Sequence, residues 1–385
     1  MANLKTLKLT NIGQLREANL AFGDLTVLVG PQATGKSISL QFLKLMVDCG
    51  QVQEQLSRHG LDWSNKLPEF FDIYFGEGMQ YIWHEGKSGV SWNNKEIDVP
   101  KLVKRRQTGK TENLFLIPAQ RVLAMRDGWP RYFTDYSPGD PFAVREFSEK
   151  LRMVVEDLGS SGELFPQKNR LKSEIRELLE ESIFRTFRLK VDKSRLQKRM
   201  VLGAQGSPLP YMVWSAGQRE FVPLLLGLYW LMPPSKVSTR DQIEWVVIEE
   251  LEMGLHPQAI NVVLLIVLEM MSRGYRVCLS THSPQVLECV WAIQQLVASK
   301  AAPSTVMDLF GVKKTERITD IATRVMKKKF KVYYFSPDGV TSDISALDPD
   351  SAEFAMQDWG GLAEFSSRVN DVVAKAVANS HRSRR

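Results

Sequence analysis

The chain has 385 residues, 44% hydrophobic and 24% charged, which fits a globular protein and excludes a disordered or fibrous one. Fifty basic against 44 acidic residues leave a net charge of +6, which permits nucleic acid as a partner without requiring it. Cys49, Cys278 and Cys289 are odd in number and lack metal-ligand spacing, excluding a disulfide framework and fitting a reduced, cytoplasmic compartment.

The opening MANLKTLKLTNIG is too polar for a signal peptide, and residues 4–29 alternate as three strands, LKTLKLT, LREANLAF and LTVLVG. GPQATGKS, residues 30–37, follows the third strand and precedes SISLQFLKLMVD, which has helical spacing. FFDIYF, MQYIWHEG and KSGVSWN read as an antiparallel meander, KLVKRRQTGK as a basic turn, and NLFLIPAQR as a buried strand ending at Pro118. From Val144 to Met200 the pattern is helical and highly charged; SEIRELLEESIF is its clearest amphipathic helix and GSSGE, 159–163, its break. Heptads do not persist there, which argues against a long coiled coil.

Beyond this stretch, strands and helices alternate: MVLGAQGSPLPYMVW, FVPLLLGLYWLM, EWVVIEE, AINVVLLIVLEMMSRG and YRVCLSTH. Such alternation implies a parallel sheet with helical crossovers. KVYYFSPDGVTSDISAL is again β-like, and a helix over Leu362 to Asn379 precedes the tail HRSRR. The apolar runs 221–232 and 262–271 fall short of the roughly 20 residues that a bilayer span needs, so no membrane partner is expected. The chain divides into an N-terminal lobe over 1–143, a helical insertion over 144–200, a second lobe over 201–300 and an α/β extension over 301–385.

Four stretches carry chemistry. GPQATGKS matches G-x-x-x-x-G-K-[ST] in full, between a strand and a helix as that motif requires. Gly30, Pro31, Gln32, Ala33, Thr34 and Gly35 would wrap phosphates at a helix N-terminus, with Lys36 reaching the β and γ phosphates and Ser37 ligating Mg²⁺. WVVIEELE puts Glu249, Glu250 and Glu252 at the end of a buried strand, with Glu249 as the Mg²⁺ residue and Glu250 as the general base. An acidic helix start is the alternative reading of those carboxylates. His282 ends YRVCLST at the edge where α/β sheets place ligands, suited to a γ-phosphate or the attacking water. WSAGQRE adds a second anion-facing turn, Ser215, Ala216, Gly217 and Gln218, in which Ser215 also reads as an ordinary helix N-cap.

The order GPQATGKS, WSAGQRE, VVIEELEMGLHP, LSTHS resembles an ABC-type ATPase head, in the soluble branch that includes RecF, the SMC proteins and the OLD-family ATPases. It covers residues 3–48 and 211–290; Leu251 stands where OLD-type sequences carry proline, and Glu249 where transporters and SMC heads carry aspartate. The resemblance implies an α/β ABC-ATPase head: a mostly parallel sheet with a P-loop core, an N-terminal antiparallel β subdomain and a helical insertion. It also implies ATP and Mg²⁺ as cofactors, hydrolysis of ATP to ADP and phosphate, and a homodimer or higher homo-oligomer closed around ATP. Ser215 to Gln218 of one copy would then meet the γ-phosphate held by Lys36 of the other. In FLIPAQR either Gln120 or Arg121 takes the role of the family's Q-loop contact to Mg²⁺.

The acidic motifs of the TOPRIM nuclease that follows many OLD-family ATPases are missing after residue 290, so the output is expected to come from a separate protein. The leading expectation is the sensor or regulatory ATPase of a bacterial anti-phage defence system, controlling a nuclease or toxin effector. The alternative is a RecF-like repair ATPase clamping DNA through KLVKRR, KVDKSRLQKR and KKKFK. A transporter subunit is the third and least favoured class.

Overall fold

A computed structural model describes residues 5–104, 111–159, 162–167, 169–193, 198–203, 208–234, 239–351, 353–362 and 364–382. RRQTGK at 105–110, SRLQ at 194–197 and AQGS at 204–207, parts of the basic and turn segments read above, lie outside them.

β1 (Thr6–Ile12) and β2 (Leu15–Ala21) form an antiparallel hairpin, with Leu7 and Leu9 turned fully inward by the alternation. β3 (Leu25–Val29) is buried throughout, and α1 (Lys36–Arg58) leaves the 30–37 loop directly. FFDIYF, expected as a strand, lies in α2 (Leu67–Phe75). Pro68 and Glu69 sit in its first turn, and Phe70, Phe71, Tyr74 and Phe75 recur at the i, i+1, i+4, i+5 spacing of one helical face. On that face Phe71 meets Phe42 of α1 edge-on and Phe75 meets it at a tilt. MQYI is a 3₁₀ turn, so only the last part of the expected meander forms. There β4 (Gly89–Trp92) and β5 (Lys95–Ile97) join through Asn93 and Asn94, both at positive φ. The order β2-β1-β4-β5 makes the expected antiparallel β subdomain.

α3 (Val99–Lys104) and β6 (Leu114–Ile117) follow, then a short hairpin of β7 (Met125–Arg126) and β8 (Trp129–Pro130), then α4 (Phe142–Leu158). The insertion is not purely helical. Its β9 (Glu163–Phe165) precedes α5 (Ser173–Leu179) and β10 (Arg188–Asp192), and β11 (Arg199–Gly203) and β12 (Leu209–Pro210) complete an antiparallel sheet, β12-β11-β10-β9. RLKVD buries Leu189 and Val191 and leaves its polar residues outward, a period of two hidden by the charge density around it.

The rest of the chain is α6 (Ala216–Leu231), β13 (Trp245–Ile248), α7 (Pro257–Arg273), β14 (Arg276–Ser280), α8 (Pro284–Ala298), α9 (Glu316–Val325), β15 (Phe330–Phe335), β16 (Thr341–Asp343), α10 (Phe354–Gln357) and α11 (Glu364–Arg382). The central sheet runs β16-β15-β3-β14-β13-β6, parallel except for β16. The extension over 301–385 is therefore part of the core, because β15 is the neighbour of β3. The molecule has the expected α/β architecture: a mostly parallel sheet behind a P-loop, with an antiparallel β subdomain.

Both faces of this sheet are covered, and the strands show it. Val27, Val246, Val277 and Phe115 point to one apolar layer that includes α6 and α7. Leu28, Val247, Cys278 and Leu116 point to the other, with α1 and α2. One charge inside these layers is doubly paired. Glu269 of α7, fully buried, accepts from Lys172 at 2.8 Å and Arg273 at 2.7 Å. Among the described residues no helix is long and apolar enough to cross a membrane.

Candidate active site

Parallel strands deliver their C-terminal ends to one edge of a sheet, and the loops leaving there converge. After β3 comes 30–35, after β13 comes 249–256, and after β14 comes 281–283. They enclose a pocket of about 290 Å³ lined by Gln14, residues 32–38, Glu250 and His282.

The phosphate loop has the conformation its sequence requires. Gly30 lies at φ 140, where a Cβ would come 2.3 Å from the Phe335 carbonyl oxygen, and Ala33 takes a left-handed φ of 58. The first turn of α1 carries no acidic residue, so its positive end faces the pocket uncompensated. Lys36 donates to the carbonyls of Gly30 at 2.8 Å and Pro31 at 2.6 Å. Burial pulls its ammonium down to about 8, against the attraction of Glu250 and Glu252.

Glu249, only 1% exposed, ends β13 behind the pocket. Its carboxyl accepts from the Ala119 N–H at 3.2 Å and from the Ser37 hydroxyl, and burial pushes it up to about 7. Its second oxygen, Oε1, is buried with no hydrogen-bond partner among the described residues. An orphaned carboxylate oxygen beside a serine hydroxyl is a hard-oxygen pair that fits Mg²⁺, which takes one or two protein ligands and completes its shell with phosphate and water. No group of three or more His, Cys, Asp or Glu able to hold a metal occurs among the described residues.

Glu250 holds a backbone φ of 45, rare for a residue with a side chain. Its N–H donates to the carbonyl and hydroxyl of Ser280, at 3.0 and 3.2 Å. Its carboxylate stands 3.9 Å from His282 Nε2. Burial and the neighbouring Lys36 hold the His282 imidazole below its usual range despite Glu250 and Glu252, so the ring is neutral at neutral pH. Glu252 anchors the loop that carries the ring, accepting from Thr281 Oγ1 at 2.9 Å and from the His282 N–H.

The turn at 215–218 stands apart. Ser215 Oγ accepts from the Gln218 N–H at 3.2 Å and Gln218 Oε1 accepts from the Ser215 N–H at 3.0 Å, a reciprocal capping box on α6. Ser215 and Ala216 are exposed, and none of the four residues lines the pocket. Gln120 is also exposed and outside the lining, at the start of a 3₁₀ turn. Arg121 is fully buried and faces backbone carbonyls. Leu251, where OLD-type sequences carry proline, is fully buried in the core. Sequence reasoning missed Gln14, which reaches the pocket from the β1–β2 turn; a single residue beside a glycine carries no motif to mark it.

Residues 136–288 match a family described as "AAA domain, putative AbiEii toxin, Type IV TA system", a stretch that includes the 215–218 turn, the glutamates and His282. None of the curated proteins matches the chain. Among solved structures it is similar to the SMC head domain from Thermotoga maritima, at 11% identity over 89% of this chain and 98% of that one, TM-score 0.33. It is also similar to an SmcHead bound to the C-winged helix domain of ScpA, at 10% identity over 89% and 97%, TM-score 0.41. A third similarity is to the dimeric post-hydrolysis state of the ATP-binding cassette MJ0796 bound to ADP and Pi, at 12% identity over 73% and 89%, TM-score 0.33.

Proposed function

We propose that the chain is an ABC-type ATPase of the OLD-like branch that closes on a second copy of itself around ATP. In this reading it regulates a separate effector, a nuclease or toxin, in a bacterial anti-phage defence system. The observation carrying the ATPase reading is the convergence of Lys36, Ser37, Glu249, Glu250 and His282 at one edge of a parallel sheet.

Lys36, held by two carbonyls of its own loop, would turn to the β and γ phosphates while the N-terminus of α1 stabilises their charge. Ser37 and Glu249 would hold Mg²⁺, which neutralises phosphate charge when bound. Glu250 would take the proton from the attacking water, and neutral His282 would orient that water or the γ-phosphate. The turn at 215–218 would serve the nucleotide of the second copy. Supporting this, it is outward-facing and follows Met212 and Val213, which are 69% and 61% exposed and which a second copy would cover.

The matched family's description names a "putative AbiEii toxin, Type IV TA system", which fits a two-component system without assigning the toxin to a separate protein. The charged insertion fits protein recognition better than DNA binding, since Arg152 is taken up by Glu149 and Glu156 at 2.5 and 2.7 Å. In KKKFK, Lys328 and Lys331 are engaged by Asp24 and Asp343 at 3.1 and 2.6 Å, which weakens the DNA-clamp alternative.

Isothermal titration with ATP tests the site, and Lys36→Ala should abolish binding; a variant that still binds overturns the assignment. Native mass spectrometry of the protein co-expressed with its neighbouring genes, with and without ATP, tests the output. A nuclease-like or toxin-like companion released or retained by ATP supports the regulator, whereas a dimer carrying only DNA supports the clamp.

A further inference from the structure

Arg121 has five guanidinium hydrogens, and all five find an acceptor. Nε donates to the Glu220 carbonyl at 3.2 Å. Nη1 donates to the carbonyls of Glu249 and Glu250, both at 3.1 Å. Nη2 donates to the carbonyls of Glu250 at 3.2 Å and Met253 at 3.4 Å. The Glu220 carboxylate lies 3.6 Å from Nε and offsets the buried charge. The side chain is fully buried, so these bonds are made without competition from water.

Every one of these acceptors is backbone, and they belong to two places with different duties. Glu220 is in the first turns of α6, just behind Ser215 to Gln218. Glu249, Glu250 and Met253 belong to the loop after β13, and Glu250 lines the chain's own pocket. The two backbones also touch directly: a Cβ on Gly217 would stand 2.9 Å from the Gly254 carbonyl oxygen. Glu250, in the second of them, holds its left-handed φ of 45, with its carbonyl receiving two of the five bonds. A planar fork can brace backbone in this way, whereas an ammonium cannot.

We propose that Arg121 is a positioning residue that couples the two sites of the ATP-bound dimer, transmitting engagement of the 215–218 turn with the partner's nucleotide to Glu249 and Glu250 of its own. This rests on the proposed dimeric ATPase reading. If α6 shifts when its N-terminus meets a phosphate, the guanidinium carries the displacement to the carbonyl of the general base. The base is then set only when the partner is loaded.

The test is Arg121→Lys in the full chain, read by ATP titration, steady-state hydrolysis and native mass with and without ATP. The wild type should dimerise with ATP and hydrolyse it with a Hill coefficient near 2, falling to about 1 in the variant as coupling is lost. Turnover should fall at least about tenfold while ATP affinity stays within about twofold, a split between k and binding that general loosening of the fold would not produce. Should Arg121→Lys fail to fold, Glu220→Gln carries the test: it removes the charge beside the guanidinium, and the Hill coefficient should fall with affinity retained. A cooperative wild type with equally cooperative variants overturns the coupling role alone. A wild type that neither dimerises with ATP nor hydrolyses it overturns the dimeric reading and this inference with it.

Discussion

A glutamate at φ 45 bears a backbone cost of order 1–3 kcal/mol, and it persists only where neighbours over-determine it. Here the neighbours are Ser280, which accepts the Glu250 N–H, and Arg121, which donates to its carbonyl. Strain of this kind belongs with function, and it separates two consequences of substitution. Glu250→Gln keeps the shape and should bind ATP while hydrolysing it at least about tenfold more slowly. Glu250→Gly should be as inactive, yet its melting temperature should rise, by the equivalent of roughly 1 kcal/mol, because glycine adopts that φ freely. Thermal unfolding and phosphate release on the two variants measure both. Unchanged turnover in Glu250→Gln would shift the base to another residue, and a less stable Glu250→Gly would mean the left-handed backbone is not strained.

The elements are tied by buried charge as well as by apolar packing. Lys44 of α1, 1% exposed, contacts Asp48 at 2.9 Å, Glu112 at 3.2 Å and Glu146 of α4 at 3.2 Å, and donates to the Leu114 carbonyl of β6 at 2.6 Å. Asp48 departs from helical geometry, at φ −123, and accepts from the N–H groups of Asn113 and Leu114. One lysine thus fastens the helix behind the phosphate loop to the sheet and to the insertion. Lys44→Met would strand carboxylates in a dry interior, and stability should fall by about 3–5 kcal/mol, read from the denaturant midpoint. A loss under about 1 kcal/mol would show that water reaches the network on relaxation. None of this was legible in the sequence, where Lys44 interrupts an apolar helical stripe without a visible partner. Long elements with strong periodicity were legible: β3, α1, α6, β13, α7 and β14 all fall where their patterns put them. FFDIYF misled because aromatic residues favour strands by type, while their spacing, which wins once α1 offers a face to pack on, is helical.

At the scale of the molecule, what could be read was chain order, and what could not was adjacency. The phosphate loop, the capped turn, the glutamates and His282 were recognisable in sequence because each is a short motif at the end of an element. The seat of β15 beside β3 depends on contacts more than 300 residues apart in the chain, such as Tyr333 opposite Leu28, and no local pattern announces them. The same limit applies to the proposed second copy, since an outward-facing turn would acquire its role from a surface the chain does not contain. Mixing two inactive proteins tests that role. Lys36→Ala lacks a working phosphate loop and Ser215→Arg a working turn, so each alone should be inactive. In an equal mixture half the dimers are mixed, and each mixed dimer pairs one intact loop with one intact turn. A site shared across a two-fold dimer should therefore trap one ATP in each mixed dimer, a species native mass can count, although its turnover stays low because the partner of the intact loop holds no nucleotide to set the base. If the turn served its own loop, no combination would rebuild a site, and ATP would bring no mixed dimer together.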